Sequence, residues 1–279
     1  MTLSLSSVPD VLTRIGSARD VAFGSYFLAH GAMREALTGA ARRGAHVAVT
    51  LQADPYRNPF GRRCNAEAAR VLRAAGADVS LLASDRAPFH IKAAVCDGVA
   101  YLDDRNWTKR GPEIVVADDD PTDVALVRQA LGGHGGADPA LATRKDVALS
   151  REVALVEGAR DAPVTVETER VATSPLTRAL AEHARGGGRT TLIVGRTSHP
   201  TTREASTIAR LVADGVVVRT GGSNQKLALA GDTAWIGSGN ATGASGRSAG
   251  QLEWGMLTRD RALVGAVTAA LARDGGKSD

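Results

Sequence analysis

The sequence predicts an α/β protein built from two similar units in tandem, and three observations carry that expectation. Short apolar strands alternate with one-sided helical patterns through both halves of the 279 residues. Glycine stops helices at matching places, so that Val71-Leu-Arg-Ala-Ala-Gly76-Ala-Asp-Val and Leu211-Val-Ala-Asp-Gly215-Val-Val-Val are equivalent. A polar-ended strand pair also occurs once per half with its polar residues at the same offsets, which marks an internal duplication.

The first half begins with an apolar strand over 21–27. A helix over 31–43 follows, with Met33, Leu37 and Ala40 on one face, and Gly44 stops it. Val47-Ala-Val-Thr-Leu is the next buried strand. The stretch 52–65, with Pro55, Pro59, Arg57, Arg62 and Arg63, reads as a loop. A helix over 66–75 ends at Gly76, and a strand over 79–82 leads to the polar segment. This β-α-β-α-β-β order argues for a largely parallel sheet with helical layers. The second half repeats it: a strand over 164–169, a helix over 176–184 stopped by glycines, a strand over 191–194, a helix ending before Gly215 and a strand over 216–219. Between them 117–138 is acidic and then glycine-rich and reads as the linker, with a helix over 143–158 opening the second unit. The expected units are therefore 1–135, including that linker, and 136–279.

The chemistry sits in the polar segments. Phe89-His90-Ile91-Lys92 opens two short strands joined by a turn at Asp97-Gly98, and the alternation aims His90, Lys92 and Asn106 at one place. Lysine supplies point charge, asparagine a neutral donor, and imidazole can attack phosphorus or move a proton, so the trio suits an anionic oxyacid such as a phosphate. An ordinary strand pair with a surface His and Lys has the same spacing. The second copy shifts the balance, because Asn224-Gln-Lys226, Gly231-Asp232 and Gly237-Ser238-Gly-Asn240 keep the lysine and the final asparagine.

This pattern, His-x-Lys, then Asp, then Gly-Ser-x-Asn, once per half, resembles the phospholipase D superfamily, and the resemblance covers nearly the whole chain. It implies two duplicated α-β-α units packed face to face about a pseudo-twofold axis, with both motifs sharing one site. It further implies that one histidine forms a phosphohistidine while the other protonates the leaving group, and that lysines and asparagines hold the phosphoryl oxygens without a metal or other cofactor. His90, Lys92, Asn106, Lys226 and Asn240 match those positions, with Ser238 as an added hydroxyl donor and Asp97 as the aspartate of the first motif. Three departures stand out: Asn224 replaces the second histidine, Gly231 the second aspartate, and Asp103-Asp104 the first Gly-Ser. Asparagine is no useful acid at neutral pH. Asp104 either carries a proton and substitutes as the acid or repels phosphate. The resemblance also implies an acidic residue after each motif that orients the opposite histidine; Glu253 would serve His90, and Glu113 would face Asn224. His199 is a further candidate for the lost acid.

Composition sets outer limits. With 43% hydrophobic and 23% charged residues, the chain can bury a large core. Met1 to Asp20 lacks a basic start followed by an apolar stretch, and no run approaches about 18 apolar residues, so a cytoplasmic protein without a transmembrane segment is expected. Cys64 and Cys96 form no metal-ligand spacing or disulfide framework. A net charge of +4 fits a phosphate-bearing partner without amounting to a nucleic-acid footprint, and 4% aromatic residues argue against an interleaved stacking surface for single strands. The expected function is a phospholipase D-like phosphodiesterase acting through His90 on a phospholipid, a nucleic acid or a small diester. The rivals are a phosphate- or nucleic-acid-binding pseudoenzyme and a phosphodiester transferase. Loops 52–65 and 195–202 would set specificity.

Overall fold

The computed structural model describes residues 3–55, 58–83, 88–107, 113–195 and 200–276. In the first half the chain runs β1 (Leu3–Ser6), α1 (Val8–Ser17), β2 (Asp20–Ser25), α2 (Ala32–Arg42), β3 (His46–Gln52), α3 (Pro59–Ala74), β4 (Asp78–Leu82), β5 (Ala93–Cys96), β6 (Val99–Asp103), β7 (Val115–Asp118) and α4 (Pro121–Leu131). The second half runs β8 (Leu141–Ala142), α5 (Lys145–Glu157), β9 (Val164–Thr168), α6 (Pro175–Arg185), β10 (Thr190–Gly195), α7 (Thr202–Ala213), β11 (Val217–Gly222), β12 (Leu227–Ala230), β13 (Thr233–Gly237), β14 (Gly255–Thr258) and α8 (Arg261–Gly275).

Each half forms a seven-stranded sheet, ordered β1-β7-β6-β5-β2-β3-β4 and β11-β10-β9-β12-β13-β14-β8. Read in opposite directions, the two orders match strand for strand, which gives the duplication its structural form. The sheets are mixed rather than largely parallel. Only β2-β3-β4 and β9-β10-β11 run parallel, because helices cross over between them. The other pairings are antiparallel. Two-residue turns impose this where the motifs lie: Asp97 and Gly98 both have positive φ, 47° and 85°, and Gly231 turns at φ 58°.

Three cores arise from these layers. In one, α1, α2 and α3 bury Ile15, Leu37 and Leu72 against the outer face of the first sheet. In another, α5 and α6 bury Leu149 and Leu180 against the second sheet. The third lies between the sheets, where α4 and α8 join β5, β6, β12 and β13 around Phe89, Leu102, Ile236 and Trp254. Backbone bonds cross the same seam. Phe89 pairs with Leu252 as a parallel bridge, His90 N–H donates to Leu252 O at 2.9 Å, and Leu252 N–H donates to Pro88 O at 3.0 Å. The Trp254 indole N–H reaches Asp103 O in the other half at 2.9 Å.

Several elements differ from the sequence expectation. The stretch 52–65 is not all loop, because α3 starts at Pro59, capped by Asn58, whose side chain accepts from Gly61 N–H. The stretch 117–138 is not merely a linker. It holds the end of β7 and all of α4, whose cap Asp120 accepts from Thr122 and Asp123 N–H. The elements β1, α1, β8 and α8 were not anticipated. None of the helices among the described residues is long and apolar enough to cross a membrane.

Trp254→Phe should keep the fold but leave the buried Asp103 carbonyl without its indole donor. Urea unfolding is expected to show a loss of about 1–3 kcal/mol. An unchanged midpoint would mean that the bond across the seam contributes nothing.

Candidate active site

His90 and Lys92 lie just before β5, in an extended segment fixed on one side by Leu252 and on the other by the Asp103 N–H, which donates to Lys92 O at 3.0 Å. Glu253 follows Leu252 directly, so the backbone pairing across the seam delivers its carboxylate to the imidazole. Glu253 Oε1 lies 3.0 Å from His90 Nδ1. A carboxylate can only accept here, which places the proton of neutral His90 on Nδ1 and makes Nε2 the acceptor nitrogen, 3.0 Å from Lys92 Nζ. Glu253 Oε1 also accepts from Gln251 Nε2 at 2.7 Å, and Oε2 lies 3.8 Å from Lys145 Nζ. Burial alone would raise the Glu253 pKa, but His90, Lys145 and Lys92 outweigh it and hold the group at about 2. Burial and the Lys92 charge push His90 down to about 4 against the opposing pull of Glu253. At neutral pH the pair is a neutral imidazole and a charged carboxylate.

Lys92 Nζ stands 3.0 Å from both ring nitrogens and donates to His90 O at 2.8 Å. Burial and the charge of Lys226 lower its pKa to about 7. Lys226 Nζ donates to Asn224 O at 2.9 Å and pairs with Glu169 at 3.2 Å. Burial would raise Glu169, yet Lys226 holds it low. The two lysines, one from each half, thus feel each other's charge beside His90.

The other residues singled out from the sequence occupy varied places. Asn240 is half-buried, with Oδ1 accepting from Arg170 N–H at 3.2 Å. Asn106 is half-buried, and its Oδ1 has no hydrogen-bond partner among the described residues. Asn224 sits at φ 67°, where asparagine is favoured over most residues, and its Oδ1 is likewise unpaired among the described residues. Ser238 is fully buried, and its Oγ accepts from Trp254 N–H at 3.0 Å. Asp104 is fully buried and accepts from Ile114 N–H at 3.2 Å. Burial and the neighbouring Asp103 carboxyl raise its pKa. Glu113 is half-buried at the entry to β7. Asp97 lies at the far end of β5, where its Oδ1 accepts from the N–H groups of Arg19 and Asp20 at 3.0 Å and fixes the start of β2. His199 and Arg57 fall outside the described residues.

A cavity of about 300 Å³ opens over His90 and Glu253, lined also by Tyr26, Gln52, Lys145 and Asn240. Three of these escaped the sequence reading. Tyr26 packs edge-on to His90, with ring centroids 4.8 Å apart. Buried Asn65 holds it there, donating to Tyr26 O at 3.0 Å and Gln52 O at 2.7 Å. Gln52 accepts from Phe89 N–H at 2.7 Å. Lys145, at the start of α5, donates to Thr242 Oγ1 at 3.0 Å, and no local pattern marks it. Tyr26 and Glu169 could have been found through the repeat. Gly24 opposes Ala93 and Glu167 opposes Leu227, so Tyr26 and Glu169 follow equivalent strand ends.

No family model matches the sequence, and no curated protein matches it. Solved structures do. The polyphosphate kinase from Porphyromonas gingivalis superposes with a TM-score of 0.71 at 13% identity over 99% of this chain and 51% of that one. A mutant of the yeast tyrosyl-DNA phosphodiesterase superposes with a TM-score of 0.54 at 12% identity, over 92% of this chain and 90% of that one. The fold is phospholipase D-like. Its two duplicated units match these structures across nearly the whole chain, and the chain spans about half the length of the polyphosphate kinase. The phospholipase D family member Nuc from Salmonella typhimurium also aligns, at 18% identity over 48% of this chain, with a TM-score of 0.40.

At this site, Glu253→Gln should lower the His90 pKa further, because it removes the carboxylate whose hydrogen bond raises it, and Glu113→Gln should leave it unchanged. Nitrogen-15 NMR titration of the imidazole reads both variants. Equal shifts would mean that Glu113 shares the orienting role.

Stability should also depend on His90. Its folded pKa of about 4 lies below the ordinary 6.5, so between those values the unfolded chain binds more protons. The stability held by neutral His90 is complete above pH 6.5 and is lost as pH falls towards 4, on the order of 3 kcal/mol. His90→Asn should flatten that part of the profile in urea titrations at stepped pH, and parallel profiles would refute the assignment.

Proposed function

We propose that the chain is a phospholipase D-like phosphodiesterase that works through a covalent phosphohistidine on His90. The observation that carries this reading is the 3.0 Å contact between His90 Nδ1 and Glu253, made across the two halves beside Lys92. The Nε2 lone pair attacks phosphorus and the bond to the leaving oxygen breaks. The ring becomes cationic, and the carboxylate of Glu253 stabilises it through Nδ1–H. Lys92, Lys226, Asn106 and Asn240 take the non-bridging oxygens, where negative charge grows. Water then attacks phosphorus, the N–P bond breaks with its electron pair returning to Nε2, and the proton of the water passes to the expelled oxyanion in solvent.

Asn224 supplies no proton to the leaving oxygen, so substrates whose leaving group departs as a stable anion, such as aryl diesters or phosphoanhydrides, are turned over best. Asp104 is kept largely neutral by its burial and by Asp103, which removes the repulsion that a charged carboxylate would exert on phosphate. The lysine of the first motif, with a pKa of about 7, takes up a proton when an anion binds. Phospholipid, nucleic acid and small diester all present the group this site would recognise.

Bis(p-nitrophenyl) phosphate should be hydrolysed by the wild type, with or without EDTA, and His90→Ala should abolish the turnover. An alkyl diester should be a far poorer substrate. Asn224→His should narrow the gap by up to about 10²- to 10⁴-fold, the usual reach of general acid catalysis. Binding of the diester without turnover in the wild type would instead make the chain a phosphate-binding pseudoenzyme.

A further inference from the structure

A basic groove between α6 and α7 takes no part in the chemistry above. Two adjoining cavities of about 220 and 500 Å³ share Thr173, Thr207 and Arg210 as lining. Arg178 and Arg185 extend the first, and Arg203 the second. Asp214 is the one carboxylate among the described lining residues, and it lies 3.6 Å from Arg185. Guanidinium groups and threonine hydroxyls suit phosphate oxygens. Ala181 and Leu211 add apolar wall, which fits a sugar or base lying between phosphates better than an inorganic chain.

The groove is joined to the catalytic cavity. Arg170 N–H meets Asn240 Oδ1, Val171 bridges Ala241, and Ala172 N–H donates to Ala241 O at 3.0 Å. Thr173 comes next. At a strand rise of about 3.3 Å per residue, the groove begins roughly 10 Å from the Asn240 contact, comparable to the gap between phosphates one or two nucleotides apart on an extended strand.

The duplication supplies an internal control for what the fold alone requires. Gly44 and Gly187, at φ 86° and 89°, align α2 with α6, and Gly76 and Gly215, at φ 98° and 91°, align α3 with α7. On that alignment Arg178 corresponds to Glu35, Arg203 to Cys64, Thr207 to Ala68 and Arg210 to Val71. Arg185 corresponds to Arg42 and Thr202 to Arg63, but the first half folds the same way without Arg178, Arg203 and Arg210, so packing does not account for those three arginines.

We propose that the groove between α6 and α7 holds a second phosphate of the substrate, so that the substrate is a single-stranded oligonucleotide rather than an isolated diester or a lipid head group. The inference rests on the phosphodiesterase reading for the placement of the first phosphate, and its test does not need turnover. Fluorescence anisotropy of a labelled 12-nucleotide single strand, on the full chain carrying His90→Ala, compares that background with added Arg203→Glu and Arg210→Glu. The dissociation constant should rise at least about tenfold, and the log–log salt slope should shrink by about 1.4, the value for two lost contacts to a single strand. The neutral pair Arg203→Gln and Arg210→Gln should weaken binding in the same direction but less. In the His90 background, hydrolysis of bis(p-nitrophenyl) phosphate should stay within about twofold of wild type for both pairs, because that diester has no second phosphate. Unchanged oligonucleotide affinity overturns the proposal. So does an effect on inorganic polyphosphate that spares the oligonucleotide.

Discussion

The exchange of backbone hydrogen bonds between 88–90 and Leu252 is the contact on which the site depends. It is short, yet it joins the two halves where a residue of each must meet a residue of the other. His90 donates its backbone N–H to Leu252, and Glu253 follows immediately, so a peptide pairing becomes a side-chain pairing at 3.0 Å. The bonds lie beside Phe89 and Trp254, both fully buried, where an unpaired peptide group would be costly. Burial between the sheets therefore fixes the geometry of the imidazole and carboxylate more tightly than two surface loops could. Gly24 belongs to the same device: a Cβ there would lie 2.8 Å from the Phe89 ring, so only glycine lets this segment sit so close to β2.

The charges of the site oppose each other in a way that suits an anionic guest. The charge of Lys226 lowers the readiness of Lys92 to carry its own, and the half-exposed Glu169 pairs with Lys226. Glu253 is different, since it stays charged through contact with His90 and Lys145 and is tied by Gln251. One carboxylate is thus fixed to the imidazole, while the other rests on the lysine that phosphate would engage. A bound phosphate would take the place of Glu169 as the partner of Lys226, which keeps the empty site from holding an uncompensated buried cation.

The duplication and the residues of its motifs were legible because they obey short-range rules: a period of two before a two-residue turn, and glycine after each helix. What escaped obeys rules that span the chain or were read too narrowly. Asn58-Pro59 and Asp120-Pro121 are helix starts, a capping side chain followed by proline at the first turn, but proline among arginines and acidic residues equally signals a loop. Strand-helix alternation describes only β2–β4 and β9–β11; the hairpin strands, which the two-residue turn at Asp97 forces to run antiparallel, make the sheets mixed. Lys145 could not be seen at all, since its contact with Glu253 joins positions more than a hundred residues apart.

The two halves also explain why the second motif departs from the first. In the first half the segment before Lys92 is held straight by Leu252, with Gly24 making room. In the second, the equivalent of Gly24 is Glu167, whose carboxylate accepts from Gln225 N–H at 3.2 Å, while Asp274 accepts from Ser223 N–H at 3.0 Å. Burial and the nearby Asp274 raise Glu167 to about 7, so the two carboxyl groups can share a proton beneath the loop. Held from below, that loop turns through a left-handed residue at Asn224, and its side chain lies against Gly195, where a Cβ would come within 1.9 Å of Oδ1. A histidine there would have to adopt the same left-handed backbone, which histidine, like asparagine, enters more readily than most residues. How the second half anchors its loop, through Glu167 and Asp274, thus sets where the Asn224 side chain lies.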